Sequence, residues 1–70
     1  MTRKEAREWV LYHWTADDGG TDLDWERLVD AYLAIFGRMP GEDEDAFGAL
    51  KTHIRPTVTA AEAEQFEFTI

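Results

Sequence analysis

The chain has 70 residues, no cysteine, and fifteen acidic against seven basic residues, which gives a formal net charge of −8 at pH 7. This length predicts one small domain, residues 1–70, near the lower size limit for a core without disulfides or metals. The absence of cysteine excludes thiolate chemistry, and the apolar content of 44% argues against a disordered acidic tail.

No stretch of the sequence is typical of a signal peptide or a membrane span. The longest apolar run, residues 31–36, is far shorter than the ~20 residues that a membrane helix needs. The basic residues near the start are followed by Glu5 rather than by an apolar segment. We therefore expect a cytoplasmic protein, and its acidic surface disfavours binding to anionic lipid.

The first predicted helix begins at Thr2, which forms a capping-box pattern with Glu5. Two glycines and two aspartates within residues 16–20 predict its end, because both residue types favour turns. Apolar and aromatic residues recur between these points at the spacing of one helical face. That face comprises Ala6, Trp9, Val10, His13 and Trp14.

The second predicted helix has the strongest signal in the chain. Thr21 or Asp22 is expected to cap it, with Asp24 and Glu26 in the first turn, where the helix dipole favours a negative charge. Gly37 and Pro40 are expected to end it, because glycine adopts left-handed geometry and proline cannot continue a helix. The apolar face comprises Trp25, Leu28, Val29, Tyr32, Ile35 and Phe36.

A third helix is predicted to open with residues 42–45 and to stop at or before Arg55, because Pro56 disfavours helical geometry in the residue ahead of it. Its apolar residues are Ala46, Phe47, Leu50 and Ile54.

The C-terminal segment carries two patterns. Thr59 and Glu62 form a second capping-box match, which predicts a short helix to about Gln65. Residues 66–70 alternate between apolar and polar as a strand does, with Phe66, Phe68 and Ile70 on one side. The predicted fold class is therefore mainly α: a small compact bundle of three helices, plus a short fourth helix or an extended C-terminal tail.

The residue types needed for catalysis are scarce. Serine, asparagine and cysteine are all absent, so serine and cysteine triads are impossible. Gly19 and Gly20 lack the lysine and the spacing of a phosphate-binding loop. Neighbouring carboxylates such as Asp43 and Asp45 are more simply explained as a solvated helix start than as an acid–base pair. We expect no enzymatic activity and no cofactor.

Metal binding is not expected either. His13 and His53 fall near the ends of different helices, without the spacing of metal ligands. The acidic loop between the first two helices invites comparison with a calcium-binding EF-hand that starts at Asp18. The comparison fails, because Leu23 stands where that loop needs glycine and Val29 where it needs glutamate.

Direct DNA binding is disfavoured by the position of the acids. If the second and third helices formed a helix-turn-helix, the N-terminal end of the third would contact the bases. Residues 42–45 at that end are all acidic and would face phosphates. We therefore expect no direct nucleic-acid partner.

The acidic residues concentrate in three patches without a basic residue: residues 17–26, 42–45 and 62–67. One interpretation is that the charge keeps a small apolar-rich protein soluble. The other is that the carboxylates occupy the cationic groove of a nucleic-acid-binding protein or complex, where they stand in for phosphates. The residues predicted to bind such a partner are Asp17, Asp18, Asp22, Asp24, Glu26, Glu42, Asp43, Glu44 and Asp45.

In size, acidity and lack of catalytic groups, the chain resembles small phage-encoded inhibitors of nucleic-acid machinery: anti-CRISPR proteins, DNA-mimic nuclease inhibitors and anti-restriction proteins. The resemblance implies a non-enzymatic inhibitor that competes for a nucleic-acid-binding site. The alternative is a structural or adaptor protein that forms a homodimer, or docks through its aromatic stripe or its C-terminal tail. Salt separates the two, because it weakens charged interfaces and not apolar ones.

Overall fold

The structure is a computed structural model, and it describes residues 1–14 and 24–66. These residues form four α-helices: α1 (Arg3–Tyr12), α2 (Trp25–Phe36), α3 (Ala46–Ile54) and α4 (Ala60–Gln65). One turn of 3-10 helix, Arg55–Thr57, joins α3 to α4. The described part of the chain contains no strand, and the prediction of a mainly helical bundle is confirmed.

Helix α1 starts as predicted and ends sooner. The Thr2 hydroxyl accepts the Glu5 N–H at 3.0 Å, and the Glu5 carboxylate accepts the Thr2 N–H at 2.9 Å. The helix ends at Tyr12, ahead of the glycines, because His13 takes a non-helical conformation. The His13 Nδ1 lies 2.8 Å from the Trp9 carbonyl oxygen, within the last turn. Residues 16–20 lie outside the described residues.

Helix α2 is capped by Asp24, so the expectations that Thr21 or Asp22 caps it and that Asp24 lies inside the first turn are both wrong. Glu26 lies in the first turn, as predicted. The Asp24 side chain accepts the Glu26 N–H at 3.0 Å and satisfies an amide that has no partner within the helix. An aspartate directly ahead of the first helical residue makes an earlier cap unnecessary. Thr21 and Asp22 themselves lie outside the described residues.

The end of α2 confirms the role predicted for Gly37. This glycine has a φ of +73° and donates its N–H to the Leu33 carbonyl at 2.9 Å. A Cβ at this position would contact nothing within 4 Å. The need for glycine therefore comes from the backbone conformation alone.

Replacing Gly37 with alanine should lower the free energy of unfolding by about 1 kcal/mol, because a side chain disfavours left-handed backbone. Gly41 offers the matched control. Its φ is not in the left-handed range, and an added Cβ would make only ordinary contacts with Glu44. Urea denaturation should show Gly37→Ala destabilised and Gly41→Ala at least as stable as the parent. Equal loss in both variants would contradict this explanation.

Helix α3 begins later than predicted. Residues 42–45 precede it rather than form its first turn, because Asp45 is the N-cap and its carboxylate accepts the Gly48 N–H at 3.0 Å. The helix ends at Ile54 ahead of Pro56, as expected. Pro56 then lies within the 3-10 turn, and the Thr57 hydroxyl donates to the Ile54 carbonyl at 2.7 Å.

The core lies where α1, α2 and α3 meet. The N-terminal amine lies 3.3 Å from the Asp30 carboxylate and Arg3 donates to the Ile35 carbonyl, so α1 starts beside the second half of α2 and the two helices run antiparallel. The core residues that are almost fully buried include one ring and several aliphatic side chains. They are Ala6, Val10, Leu11, Ala31, Tyr32 and Leu50.

The three tryptophans lie at different depths. Trp14 is buried and Trp9 is partly buried against the core, but Trp25 is 62% exposed. The prediction that Trp25 belongs to the core face is therefore wrong. Trp25 is the first residue of α2 and lies near the end of antiparallel α1, where Tyr12 is also 76% exposed. The core does not extend far enough along α2 to cover it.

Helix α4 confirms the second capping box. The Thr59 hydroxyl accepts the Glu62 N–H at 3.1 Å, and Glu62 accepts the Thr59 N–H at 3.0 Å. Ala63 is the buried residue of this helix, and Phe66, which caps its C-terminal end, is partly buried. Residues 67–70 lie outside the described residues, so the strand-like pattern of the tail stays a prediction. Within the described residues no helix is both long and apolar enough to cross a membrane.

Candidate acidic interface

The acidic loop, residues 42–45, is anchored to the body of the protein by Glu44. Its Oε2 accepts the Tyr32 hydroxyl at 2.6 Å, and its Oε1 accepts the Gly41 N–H at 3.0 Å. The Arg38 guanidinium lies 3.3 Å from Oε1. The Tyr32 ring is fully buried, and a buried phenol needs a partner for its hydroxyl. Glu44 therefore carries a structural role.

The same contacts fix the charge states of this network. The Tyr32 hydroxyl, with the Gly41 amide and Arg38, lowers the pKa of Glu44 from 4.5 to about 2. Burial, followed by the hydrogen bond to Glu44, raises the pKa of Tyr32 above 10. Glu44 is therefore ionised and Tyr32 neutral at neutral pH, which is the pairing that the 2.6 Å hydrogen bond requires.

The loop presents two carboxylates outward. Asp45 caps α3, and Glu44 is held by Tyr32. Glu42 and Asp43 are exposed, and within the described residues neither accepts a hydrogen bond nor pairs with a cation. Of the four acids predicted to bind a partner at this loop, Glu42 and Asp43 are thus the two with unengaged charge.

The start of α2 carries the other described acids of the predicted interface. Asp24 is exposed, caps the helix and lies 3.8 Å from Arg27. Glu26 is exposed and makes no ion pair in the part of the chain that the structure describes. The acidic loop follows the opposite end of α2, so the structure separates these residues into two patches. The predicted partner-binding residues Asp17, Asp18 and Asp22 lie outside the described residues.

Nearly all of the positive charge is engaged within the molecule. Arg7 pairs with Glu62, Arg38 with Glu44 and Arg27 with Asp24. Arg3 contacts a carbonyl of α2. The Lys51 ammonium and the Arg55 guanidinium lie 5.5 Å and 5.4 Å from the centre of the Trp14 ring, within the range of cation–π attraction. Lys4 is the one basic side chain without such a contact among the described residues.

The contacts of Tyr32 were not accessible to sequence reasoning. Arg38 lies 5.1 Å from its ring centre, and the Phe36 ring lies 4.5 Å away. A buried tyrosine on a helical face is a signal that some polar group must reach it. The sequence does not say which of the nearby acids does so, because the loop geometry makes that choice.

Neither histidine belongs to a metal site in the described residues, which contain no group of three or more potential ligands. His13 packs against Trp9 with ring centres 4.6 Å apart, and His53 lies 5.0 Å from Phe36. Both rings are therefore part of aromatic packing at the end of a helix.

Two carboxylates make stability fall in acid. Glu44 and Glu62 both have a folded-state pKa of about 2, and Glu62 owes this chiefly to Arg7. A lowered pKa adds stability that is present above the unfolded value of 4.5 and is lost as the pH falls towards 2. Melting temperatures measured from pH 7 to pH 2 should therefore drop mainly below pH 4.5, and the drop should shrink in the double variant E44Q/E62Q. An unchanged acid profile in that variant would contradict this assignment.

Comparison of the chain with protein-family models, with curated proteins and with solved structures gives no match.

Proposed function

We propose that the protein is a non-enzymatic inhibitor, of the kind that phages encode, whose acidic surface binds a cationic nucleic-acid-binding site on a partner protein. The observation that carries this proposal is the asymmetry in how the charges are used. Three of the seven basic side chains, Arg7, Arg27 and Arg38, pair with a carboxylate, and three more contact a carbonyl oxygen or an aromatic ring within the molecule. Acids such as Glu26, Glu42 and Asp43 have no such contact in the described residues.

This asymmetry matters for recognition because an exposed charge attracts a partner more strongly when no opposite charge lies beside it. Glu42 and Asp43 are exposed in a loop that the Gly41 N–H bond to Glu44 closes and that Glu44 and Asp45 hold on its C-terminal side. A loop whose backbone is already held in place loses little conformational freedom on binding, which favours affinity. A Lys/Arg-lined groove would be attracted at long range, so association would be fast and sensitive to salt.

Trp25 offers an anchor beside the second acidic patch. Its indole is 62% exposed between the exposed residues Asp24 and Glu26. An exposed indole in an acidic segment can bind an arginine side chain through cation–π attraction, while the nearby carboxylates attract its charge. Tryptophan is also among the residues that most often dominate interface energies. Both patches would thus address the same type of surface by different means.

The proposal is tested by charge reversal at one exposed acid. Immobilised protein is used to capture partners from lysates of candidate host cells, and the Kd of the captured nucleic-acid-binding protein is then measured. Asp43→Lys should weaken binding at least about tenfold, because it places like charges opposite each other in the interface. Raising salt from about 0.05 M to about 0.5 M should weaken the parent complex as well.

Glu64→Lys is the matched control, since Glu64 is also exposed and unpaired in the described residues but belongs to the acidic segment 62–67, which is not among the residues proposed to bind the partner. It changes the net charge by the same amount, so an effect of total charge alone would weaken both variants equally and contradict a localised interface. The captured protein must also lose its nucleic acid when it binds this chain. A complex that still binds nucleic acid would contradict the inhibitor mechanism.

The second candidate is an adaptor that self-associates or docks through aromatic residues. It is favoured by the exposure of Tyr12 and Trp25, which lie near the same end of the antiparallel pair α1 and α2. Sedimentation at increasing concentration separates it from the first candidate. A dimer that persists at high salt and dissociates in Trp25→Ala would support the adaptor.

A further inference from the structure

Charge of the opposite sign gathers at one place on this acidic protein. Arg3 and Arg7 lie one turn apart on α1, and His53 belongs to the last turn of α3. Together with Thr57 they line an open pocket of about 190 Å³. The remaining lining residues are Ile35 and Ile54, which are buried, whereas Arg3, His53 and Thr57 are exposed. This cationic pocket is therefore apolar at its base and positive at its rim.

Folding does not use all the hydrogen-bond donors at the rim. An arginine has five N–H donors, and within residues 1–14 and 24–66 Arg3 makes one bond, at 3.3 Å to the Ile35 carbonyl oxygen. Neither ring nitrogen of His53 makes a hydrogen bond among the described residues, where its contact is with the ring of Phe36. Arg7, by contrast, is almost fully used by Glu62 and Thr57. Arg3 and His53 are thus the groups with donors to offer a ligand.

The neighbouring charges also favour an anion. Two arginines four residues apart on a helix repel each other, and Glu62 compensates only Arg7. Within the part of the chain that the structure describes, no acidic residue lines the cationic pocket. An oxyanion between Arg3 and His53 would supply the missing negative charge and accept hydrogen bonds from both.

The size and the apolar base narrow the ligand class. The pocket is smaller than the roughly 300–1,000 Å³ typical of sites for drug-sized ligands, so a small molecule is required. Ile35 and Ile54 offer contact to a branched hydrocarbon group. The net charge of −8 opposes a doubly charged phosphate more strongly than a singly charged carboxylate.

We propose that the cationic pocket binds a small monocarboxylate with a short branched apolar stem: the carboxylate contacts Arg3 and His53, and the stem packs on Ile35 and Ile54. This site is independent of the acidic interface, because its residues belong to neither acidic patch.

The test is a titration of the whole protein with isovalerate, followed by NMR of the methyl groups of Ile35 and Ile54. We expect saturable shifts at both residues, with acetate binding more weakly because it lacks the branched stem. Arg3→Gln should weaken binding about tenfold or more, as expected for a charged hydrogen bond. Lys4→Gln is the control, since Lys4 is adjacent in sequence but does not line this pocket, and it should change the Kd by less than about twofold.

Three results would overturn the proposal. The first is that the shifts do not saturate at about 50 mM isovalerate, a concentration far above a millimolar Kd. The second is that Arg3→Gln and Lys4→Gln weaken isovalerate binding equally. The third is that inorganic phosphate binds more tightly than isovalerate. If Arg3→Gln does not fold, Arg3→Lys replaces it, because it keeps the charge and loses the planar fork. Binding by that variant as tight as by the parent would contradict recognition of the carboxylate through the planar guanidinium fork.

Discussion

Replacing Leu50 with alanine is expected to unfold a large fraction of the molecules at 25 °C. Leu50 lies in the middle of α3, has no exposed surface and belongs to the core shared by α1, α2 and α3. Removing a buried leucine side chain costs about 2–5 kcal/mol. A domain of this size derives only about 3–5 kcal/mol from its core, so the loss is comparable with the whole stability.

Tryptophan fluorescence during urea denaturation measures this effect, because Trp14 is buried in the same core. Leu50→Met is the matched control, since it keeps the volume and should cost less than about 1.5 kcal/mol. The contrary result is that Leu50→Ala remains fully folded in buffer, with a free energy of unfolding lowered by less than about 1 kcal/mol. That result would contradict the stabilising role that the burial of Leu50 indicates.

The second large effect is expected at Arg7, which holds α4 to the rest of the protein. Its guanidinium makes four hydrogen bonds: two to the Glu62 carboxylate, at 2.5 Å and 2.8 Å, and two to the hydroxyl and carbonyl oxygens of Thr57. Helix α4 has one buried residue, Ala63, and is too short to persist alone in water. Arg7→Met keeps the apolar stem but removes all four bonds.

We expect Arg7→Met to lower the melting temperature by about 5–10 °C, which corresponds to about 1–2 kcal/mol at this size, because water replaces part of the lost bonding at this partly exposed pair. The variant should lose stability across the whole fold, and α4 should open more easily than the other helices. Amide hydrogen exchange should accelerate first in residues 60–66 and later in α2, because weakly docked segments open before the core. Lys4→Met, on the same helix and without a contact of this kind, should change the melting temperature by less than about 4 °C. Uniform acceleration along the chain in Arg7→Met would contradict a specific role in α4.

The sequence predicted the helices well wherever a local pattern was decisive. Both capping boxes, at Thr2 and Thr59, form as expected. The stop signals at Gly37 and Pro56 also act at the predicted places. Each of these depends on neighbouring residues only, so short-range rules suffice to predict them.

Predictions failed where tertiary contacts or competing caps made the choice. Residues 42–45 were expected to form the first turn of α3, but Asp45 caps that helix and Glu44 turns towards Tyr32, twelve residues earlier in the chain. Trp25 fits the apolar periodicity of α2 and is nonetheless exposed. Periodicity identifies the face of a helix and not how far along the axis that face is covered.

The predicted partner-binding set was a list of acids, and the structure sorts its described members by their local contacts. Asp24, Glu44 and Asp45 cap helices or accept internal hydrogen bonds. Glu26, Glu42 and Asp43 do not. Sequence composition cannot make this distinction, because a capping aspartate and a free one have the same charge.

Two residues of the acidic loop hold it in place and two do not, and this difference has an evolutionary consequence. Glu44 and Asp45 hold the loop in place, so the two residues ahead of them contribute little to folding. Substitutions at such exposed positions usually change stability by less than about 0.5 kcal/mol. Positions 42 and 43 can therefore change over evolution at little cost in stability, while the scaffold that displays them stays the same.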